Sequence, residues 1–378
     1  MPSNAPIAML APLPALNKRT RLAKITKVLR ARGHRLRFFG WERAPGELDR
    51  MRFDDRGVEE STLMRGGGYA SSRARLFYPL WMMLVFVRVL RLGRGQTVFA
   101  LGWETAFPAL LAAMVTRSQI IFDDADRFSM ILKLPGPLHR GLVRLERWTS
   151  RRAALHIVPG YARYEWRHER MIVLRNSPLA QDLEDARAAP PTRPDAALVL
   201  YANGWIGETR GAPVFLRALD HALATGLDLR LVVAGRVDGQ SAPKLLAHPL
   251  VHYVGEVSQR EALGWYAVSD AVLTYYDPAV PINRNAESNK WGDAVFFGCP
   301  IIVNAEVKTA SAFVDGGAAW AVPYHDHEGL VALCERALRA AEMRAQAVVA
   351  VRSMAVDYPV FDDQLATILR DVLPETPS

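Results

Sequence analysis

The sequence predicts an α/β protein of two domains, each a parallel sheet wound by helices on both faces. Short apolar, β-rich segments alternate with segments of helical periodicity along the chain, the pattern typical of parallel sheets with crossover helices. The 378 residues exceed what one ordinary hydrophobic core accommodates. Half of the residues are hydrophobic, so we expect folded structure throughout.

A proline-rich segment near mid-chain indicates the domain boundary. Residues 188–194 read Ala-Ala-Pro-Pro-Thr-Arg-Pro, and clustered prolines stop both helices and central strands. The candidate strands before this segment are residues 7–14, 35–41, 97–103, 119–124 and 154–159. Those after it are residues 197–204, 229–236, 251–257, 271–277, 300–305 and 318–323. We predict an N-terminal domain over residues 1–188, a C-terminal domain over 195–355, and a last helical segment, 356–378, that crosses back to the N-terminal domain.

The charge of the chain is divided unevenly between its halves. Residues 1–180 contain 31 Lys and Arg against 14 Asp and Glu, a net charge of +17, whereas residues 181–378 contain 16 against 25, a net charge of −9. A shift this large supports a boundary at mid-chain, and it suggests that the N-terminal half faces an anionic partner.

Several protein classes are disfavoured by what the sequence lacks. The first residues do not have the order of a secretory signal peptide. The longest apolar run, residues 76–87, covers twelve residues, against the roughly twenty that a spanning helix needs. The two cysteines, Cys299 and Cys334, lie in apolar segments and imply no disulfide framework. We therefore expect a cytoplasmic protein, peripheral on the inner face of the cell membrane.

In the C-terminal half, three segments end or begin where a phosphate can bind. Residues 201–211 (YANGWIGETRG) form a strand that ends in a glycine-rich turn, and residues 231–239 (LVVAGRVDG) form a strand that ends in Gly-Arg. Residues 287–304 (ESNKWGDAVFFGCPIIVN) open a helix from a polar loop. Backbone amides, arginines and helix N-termini are common phosphate ligands.

Taken in order, these segments resemble the donor domain of GT-B glycosyltransferases, specifically the large family-four-like group 1. That family combines a Gly-Arg-Leu turn with a following Glu-Lys-Gly, a Val-Gly strand end, a Ser-Asp strand start and an Asn-Lys-x-x-Glu-Ala helix leading to Gly-x-Pro. The resemblance extends more weakly over residues 102–128 and over the run into the linker, and covers about 250 residues.

The resemblance implies a GT-B fold, with two Rossmann-like domains facing a central cleft, and a hexosyltransferase that uses a nucleotide-sugar donor. It implies no cofactor and no metal, because cations and helix N-termini neutralise the diphosphate in this family. Trp205 departs from the family's arginine, Arg210 replaces its lysine, and Asp293 replaces its glutamate. The stereochemical outcome stays open. The donor-binding residues carried over are Gly204, Trp205, Arg210, Arg236, Ser288, Asn289, Lys290 and Asp293.

Each donor candidate also has a structural explanation. Arg210 and Arg236 could be surface arginines, although both follow strands at the edge where doubly wound folds bind ligands. Ser288 is a good helix N-cap. Asp293, one turn into the same helix, could serve only as a favourable charge near the positive end of the helix dipole.

Acidic residues in the basic half are candidates for the acceptor site. Asp123, Asp124 and Asp126 follow a predicted strand, and glycosyl transfer needs a group that accepts or orients the acceptor hydroxyl. They could instead bind a metal or pair with nearby arginines, and the choice among the three as catalytic residue stays open. Further acceptor candidates are Asn17, Lys18, Trp103 and Glu104.

Two segments suggest that the N-terminal domain contacts an anionic membrane. Residues 73–94 place an apolar, aromatic centre between arginines, including Arg73 and Arg75, and the helix predicted over residues 18–32 adds seven cations. The alternative for the first segment is a helix packed on the sheet. Membrane contact would bring a lipid-linked or glycan acceptor to the enzyme, in envelope or exopolysaccharide synthesis.

Two other functions fit parts of the sequence. A sugar-nucleotide epimerase of the same fold would need clustered acids and histidines, and the nine histidines show no such clustering along the chain. A nucleic-acid-binding protein would explain the basic half. Its cations, however, fall in no recognisable nucleic-acid motif, so we expect no nucleic-acid partner.

Overall fold

The computed structural model describes residues 5–68, 76–132 and 134–373. By its contacts the chain divides into two compact units. The N-terminal unit comprises Met1–Arg175 with Asp362–Ser378, and the C-terminal unit comprises Asn176–Phe361. Arg73 and Arg75 lie outside the described residues. Both cysteines are buried free thiols, as the sequence predicts.

The N-terminal unit is built on a seven-stranded parallel sheet of order β3-β2-β1-β4-β5-β6-β7. Its strands are β1 (Ile7–Leu10), β2 (Leu36–Glu42), β3 (Val58–Arg65), β4 (Thr97–Leu101), β5 (Gln119–Asp123), β6 (Leu155–Val158) and β7 (Met171–Val173). Its helices are α1 (Thr20–Ala31), α2 (Glu47–Met51), α3 (Tyr78–Leu92), α4 (Trp103–Thr116), α5 (Phe128–Ile131) and α6 (Gly136–Arg152). Short 3-10 turns cover Leu16–Lys18 and Tyr161–Arg163.

The C-terminal unit is built on a six-stranded parallel sheet of order β10-β9-β8-β11-β12-β13. Its strands are β8 (Leu198–Asn203), β9 (Leu229–Ala234), β10 (Val251–Gly255), β11 (Ala271–Thr274), β12 (Ile301–Asn304) and β13 (Ala319–Val322). Its helices are α7 (Ala180–Ala188), α8 (Ala212–Ala224), α9 (Ala242–Leu246), α10 (Gln259–Ala267), α11 (Asn289–Phe297), α12 (Ser311–Asp315), α13 (His327–Arg339) and α14 (Ala341–Ser353). Further 3-10 turns cover Pro281–Asn285, Lys308–Ala310 and Met354–Asp357.

The predicted fold class is confirmed, because both sheets are parallel and have the strand order of doubly wound folds. Strands β1, β6, β8, β11 and β12 are buried along their whole length. Such continuously apolar strands are expected where helices cover both faces of a sheet. Apolar side chains fill separate cores on the two faces of the C-terminal sheet.

Strands β3 and β7 are absent from the sequence prediction. β3 is an edge strand whose residues alternate between half-buried and exposed along most of its length, so its glutamates and Ser61 and Thr62 hide the apolar signal. β7 is only three residues long. Most of the predicted strands run one to four residues past the observed ends, whereas β2 ends at Glu42, one residue beyond its prediction.

The helix α7 groups with the C-terminal unit, whereas the predicted boundary at residue 188 assigns it to the N-terminal domain. The helix packs on α10, which explains the difference. The tail helix α15 (Phe361–Leu369) begins at the junction, and Asp362–Ser378 belong to the N-terminal unit. There the Arg32 guanidinium donates to the carbonyls of Ala366 and Leu373, both at 3.1 Å.

The topology defines where each sheet can bind a ligand. In doubly wound sheets the chain reverses its winding direction at a switch point, and ligands bind beyond the carboxyl ends of the strands there. In the C-terminal unit the switch point lies between β8 and β11, and in the N-terminal unit between β1 and β4. Among the described residues, no helix combines the length and the apolar composition needed to cross a bilayer.

Candidate functional site

The turn after β8 forms the centre of the site in the C-terminal unit. Gly204 has a positive φ of 83°, and its amide donates to the carbonyl of Ala234 at 2.8 Å. A Cβ atom on Gly235 would lie 2.3 Å from the Gly204 carbonyl oxygen. Only glycine fits at position 235, because any side chain would force the ends of β8 and β9 apart.

The turn after β9 lies against the turn after β8. Ile206 and Val237 form a parallel bridge that continues the pairing of the two strands. Asp238 then accepts from the Trp205 indole N–H at 2.7 Å and pairs with the Arg236 guanidinium at 2.8 Å. The exposed Arg236 is therefore placed at the outer edge of the site and already has a carboxylate partner.

Arg210 connects the glycine-rich turn to the segment that follows β11. Its guanidinium carbon lies 4.6 Å from the ring centroid of Tyr276 and 5.8 Å from that of Trp205. Both distances are in the range of cation–π contacts. The Tyr276 hydroxyl donates to Ser288 at 2.7 Å. Tyr276 therefore holds Arg210 beside the start of helix α11.

Helix α11 begins at the site. Ser288 is its N-cap and accepts from the amide of Lys290, so the capping role proposed from the sequence is observed. Asn289 is exposed, and Asp293 is buried in the second turn. The half-buried Lys290 reaches back to the turn after β8. Its ammonium nitrogen lies 3.7 Å from the point that a Cβ atom on Gly204 would occupy.

The eight donor candidates therefore fall at one edge of the C-terminal sheet, around its switch point. Two cations, Arg210 and Lys290, and the positive end of α11 surround the turn at Gly204, an arrangement suited to an anion. Tyr276 and Asp238, which hold the candidate side chains in place, are absent from the sequence prediction. The GRVDG sequence could have indicated Asp238, because its acid follows the arginine by two residues.

In the N-terminal unit the three aspartates have different environments. Asp123 is fully buried and takes a forked ion pair from Arg21, with its Oδ1 atom 2.9 Å from Nη2 and 3.1 Å from Nε. Arg21 is itself buried and also donates to the Leu174 carbonyl. This pair ties α1 to the end of β5, which makes Asp123 a structural residue.

Asp124 is also buried. It accepts from the Tyr164 hydroxyl at 2.8 Å, and its Oδ2 atom lies 3.8 Å from Nε2 of His156. The Ser150 hydroxyl lies 2.7 Å from ring nitrogens of both His156 and His168. Two histidines and an acid are thus clustered, which the sequence does not indicate, but His156 is fully buried under the ring of Phe122.

Asp126 is the accessible member of the three, with 42% of its side chain exposed. Its Oδ2 atom lies 3.2 Å from Nη1 of Arg19, and its Oδ1 atom lies 3.4 Å from Nη1 of Arg163. Within the described ranges, no group of three or more His, Cys, Asp or Glu is arranged to hold a metal ion.

The other acceptor candidates differ in accessibility. The Trp103 ring is buried, stacks on Phe128 and donates its N–H to Thr149 at 3.1 Å. Trp103 is therefore a core residue here, a correction to its proposed acceptor contact. Asn17 is exposed and donates to the Arg52 carbonyl, and Lys18 pairs with Glu47.

Glu104 starts helix α4 and is buried at the end of β4. Burial, and to a lesser extent the negative charge of Asp124, raises the pKa of Glu104 to about 7. Its carboxyl group is therefore partly protonated near neutral pH, and in that form it can donate a hydrogen bond.

The basic helix predicted over residues 18–32 does not present its cations together. Arg21 and Lys24 are buried, Arg30 pairs with Asp55, and Arg32 binds carbonyl groups of the tail. Arg21, Arg30 and Arg32 have partners distant in sequence. The number of cations in this helix therefore overstates the positive charge that it presents to solvent.

Comparison with solved structures places this architecture in a known fold. Sucrose-phosphate synthase from Thermosynechococcus elongatus is similar with a TM-score of 0.65 and 14% identity, covering 97% of this chain and 98% of that chain. Anabaena HepE in complex with UDP and glucose gives 0.65 and 14%, covering 97% and 99%. WaaG, a glycosyltransferase involved in lipopolysaccharide biosynthesis, gives 0.61 and 13%, covering 96% and 98%.

The chain has the GT-B fold. No protein-family model and no curated protein sequence matches it. The identities to the solved structures are low, so the similarity concerns the fold, and the GT-B donor pattern rests on the residues described above.

The buried Glu104 predicts a pH-dependent stability. The pKa of Glu104 is about 7 in the folded chain against 4.5 for an ordinary glutamate. The neutral Glu104 carboxyl therefore makes its full contribution to the free energy of unfolding below pH 4.5. This contribution, up to about 3 kcal/mol, is lost as the pH rises through 7. We expect Glu104→Gln to raise the melting temperature at pH 8 relative to the parent chain, with little gain at pH 4.5.

Thermal denaturation at several pH values measures this effect. The exposed Glu169 supplies the control, since Glu169→Gln should change the melting temperature equally at every pH. A pH-independent effect of Glu104→Gln would show that the carboxyl is ionised throughout.

Proposed function

We propose that the protein is a glycosyltransferase that moves a sugar from a nucleotide diphosphate donor to a lipid-linked or glycan acceptor, in envelope or exopolysaccharide synthesis. One observation carries the proposal: Arg210, Lys290 and the start of helix α11 meet around the Gly204 turn at the switch point. Charge accumulates on the nucleotide diphosphate as the glycosidic bond breaks. Positive groups fixed at that position favour the transition state over the bound donor.

The compared proteins support this class of reaction. HepE is solved with UDP and glucose, and WaaG acts in lipopolysaccharide biosynthesis. We propose a nucleotide sugar as the donor, without a metal ion, because Arg210 offers forked donors to phosphate oxygens and Lys290 a compact charge. Ser288 serves this site by capping α11, and Asn289 offers an exposed amide at the same helix start.

For the acceptor we propose Asp126 as the group that orients the attacking hydroxyl or accepts its proton. Of the three aspartates it is the accessible one, and its carboxylate oxygens lie 3.2 Å from the Arg19 guanidinium and 3.4 Å from that of Arg163, which fix its position. Asn17 and Lys18 follow β1 at the switch point of the same sheet and remain acceptor-binding candidates.

We further propose that the N-terminal unit docks on anionic lipid through one face. Helix α3 packs on α4, and α4 packs on α6. These three helices expose large apolar side chains that we call the apolar surface: Leu80, Met83, Met114, Val115, Leu138 and Leu145. Exposed arginines accompany them, among them Arg91, Arg117, Arg140 and Arg144. Apolar groups bordered by cations suit the interface of an anionic bilayer.

The donor site is tested with Arg210→Ala. Among UDP-, GDP-, ADP- and dTDP-sugars, at least one should raise the melting temperature of the parent chain, since a ligand stabilises the state that binds it. Loss of a charged hydrogen-bond donor should weaken binding of that sugar nucleotide about 10- to 100-fold in calorimetric titration. The melting temperature without ligand should change little, because Arg210 is only half-buried.

Arg217→Ala, an exposed arginine on α8, is the matched control and should bind the donor like the parent chain. If no nucleotide sugar stabilises the parent, or if Arg210→Ala unfolds the chain as much as it weakens binding, the donor site is misassigned.

Asp126 and Asp123 should respond differently to replacement by asparagine. Asp126→Asn should lower turnover of the stabilising nucleotide sugar about 100-fold or more, with bacterial lipid extract as acceptor source, while stability is kept. Asp123→Asn should instead destabilise the chain by about 3–5 kcal/mol, because it leaves Arg21 buried without its counter-charge. Turnover by Asp126→Asn at the parent rate would rule out the assigned role.

The docking surface is tested by co-sedimentation with vesicles. Binding should require phosphatidylglycerol and weaken as salt rises, since each cation near an anionic surface contributes about 1 kcal/mol. Met114→Asp and Leu138→Asp, at positions 63% and 62% exposed, should reduce binding severalfold, whereas Val349→Asp in the C-terminal unit should not. Equal binding to phosphatidylcholine vesicles, or tighter binding to duplex DNA than to any vesicle, would contradict docking.

A further inference from the structure

Trp205 differs from every other tryptophan of the chain. All nine lie in the described residues, and eight are buried or half-buried, whereas Trp205 is 50% exposed. It lies directly after Gly204, at the switch point of the C-terminal sheet. A large aromatic side chain left in water at the edge where such folds bind ligands offers apolar contact area at low entropic cost.

The indole is held in one orientation by its neighbours. Its N–H donates to Oδ1 of Asp238 at 2.7 Å, and Oδ2 of the same carboxylate pairs with Arg236 at 2.8 Å. The site also depends on Gly207, where a Cβ atom would lie 3.0 Å from Oδ1 of Asp238 and 3.3 Å from the indole nitrogen. Because its only donor is used by Asp238, Trp205 offers a ligand the surface of its ring.

The ring borders the cations of the proposed donor site. The Arg210 guanidinium carbon lies 5.8 Å from the ring centroid, and the Lys290 ammonium lies beside the preceding residue, Gly204. A phosphate held by these cations places the group bonded directly to it next to the ring. In a nucleotide sugar the diphosphate carries the transferred sugar on one phosphate and the ribose on the other, and the base is one ribose further away. Of these groups only the transferred sugar is absent from the matching nucleoside diphosphate.

We propose that Trp205 is the stacking platform for the donor's sugar ring, and that Asp238 is the residue that positions it. This inference rests on the proposed function and adds the part of the donor that each residue recognises. The C–H face of a pyranose packs on an indole ring, and the fixed ring orientation selects which face of the sugar is presented. Arg210 and Lys290 bind the diphosphate, and Trp205 distinguishes the sugar-bearing donor from the bare nucleotide.

Calorimetric titration of two ligands tests the platform. The ligands are the nucleotide sugar that stabilises the parent chain and the matching nucleoside diphosphate. Trp205→Ala should weaken binding of the nucleotide sugar about tenfold and that of the diphosphate less than about threefold. Trp205→Phe keeps an aromatic ring but loses the N–H that Asp238 accepts, so it should weaken binding of the nucleotide sugar about threefold, less than Trp205→Ala. Leu223→Ala, an exposed apolar residue at the far end of α8, should bind both ligands like the parent.

Asp238 is tested by the same two titrations. Asp238→Ala removes the acceptor of the indole N–H and should weaken binding of the nucleotide sugar about threefold more than that of the diphosphate. Asp238→Asn keeps a carbonyl oxygen for the indole and should restore most of that difference. A merely structural role would lower both affinities together, and no rescue by asparagine would be seen.

The outcomes separate this inference from the function on which it rests. Equal weakening of both ligands by Trp205→Ala, or no weakening of either, overturns the platform while leaving the donor site intact. A parent chain that binds neither ligand overturns the proposed function and the platform with it.

Discussion

The close approach of the Gly204 and Gly235 turns is the constraint on which the proposed donor site depends. A Cβ atom on Gly235 would lie only 2.3 Å from the Gly204 carbonyl oxygen. The ends of strands β8 and β9 can therefore lie together only if position 235 has no side chain. Their contact brings Trp205 and Asp238 within hydrogen-bond distance. The same turn lies beside the Lys290 ammonium. A backbone contact thus determines where the cations and the indole of the site are.

The fold was largely predictable from the sequence, because parallel strands buried on both faces leave continuous apolar runs. The edge strand β3 was not, since half of its surface is exposed and its residues are correspondingly polar. The shared position of the donor candidates at one edge of the sheet was also accessible to sequence reasoning. The turn 204–211 and the helix start at Ser288 follow strands, and the carboxyl ends of parallel strands meet at one edge of a sheet whatever the side chains are.

Burial and long-range pairing were not predictable. Asp123, Asp124 and Asp126 are neighbours in sequence, yet one is neutralised by Arg21, one is buried against Tyr164, and one is exposed. The charge of +17 over residues 1–180 likewise does not show which cations face solvent. Several of its cations neutralise buried acids or bind carbonyl groups, and composition does not reveal which ones do. Trp103 is a similar case, since only the packed structure shows its ring enclosed.

The departure at Trp205 changes the charge balance of the proposed donor site. Where the resembling family has an arginine, this chain has a neutral ring, and Arg236, which could replace that charge, is paired with Asp238. The positive groups left to face a diphosphate are Arg210, Lys290 and the amides that begin α11. If this site binds the proposed donor, each of the fewer cations contributes a larger share of the affinity for phosphate, and contacts to the sugar supply more of the rest. An aromatic ring beside the phosphate position, held rigid by the same Asp238 that neutralises Arg236, provides that contact area without adding charge.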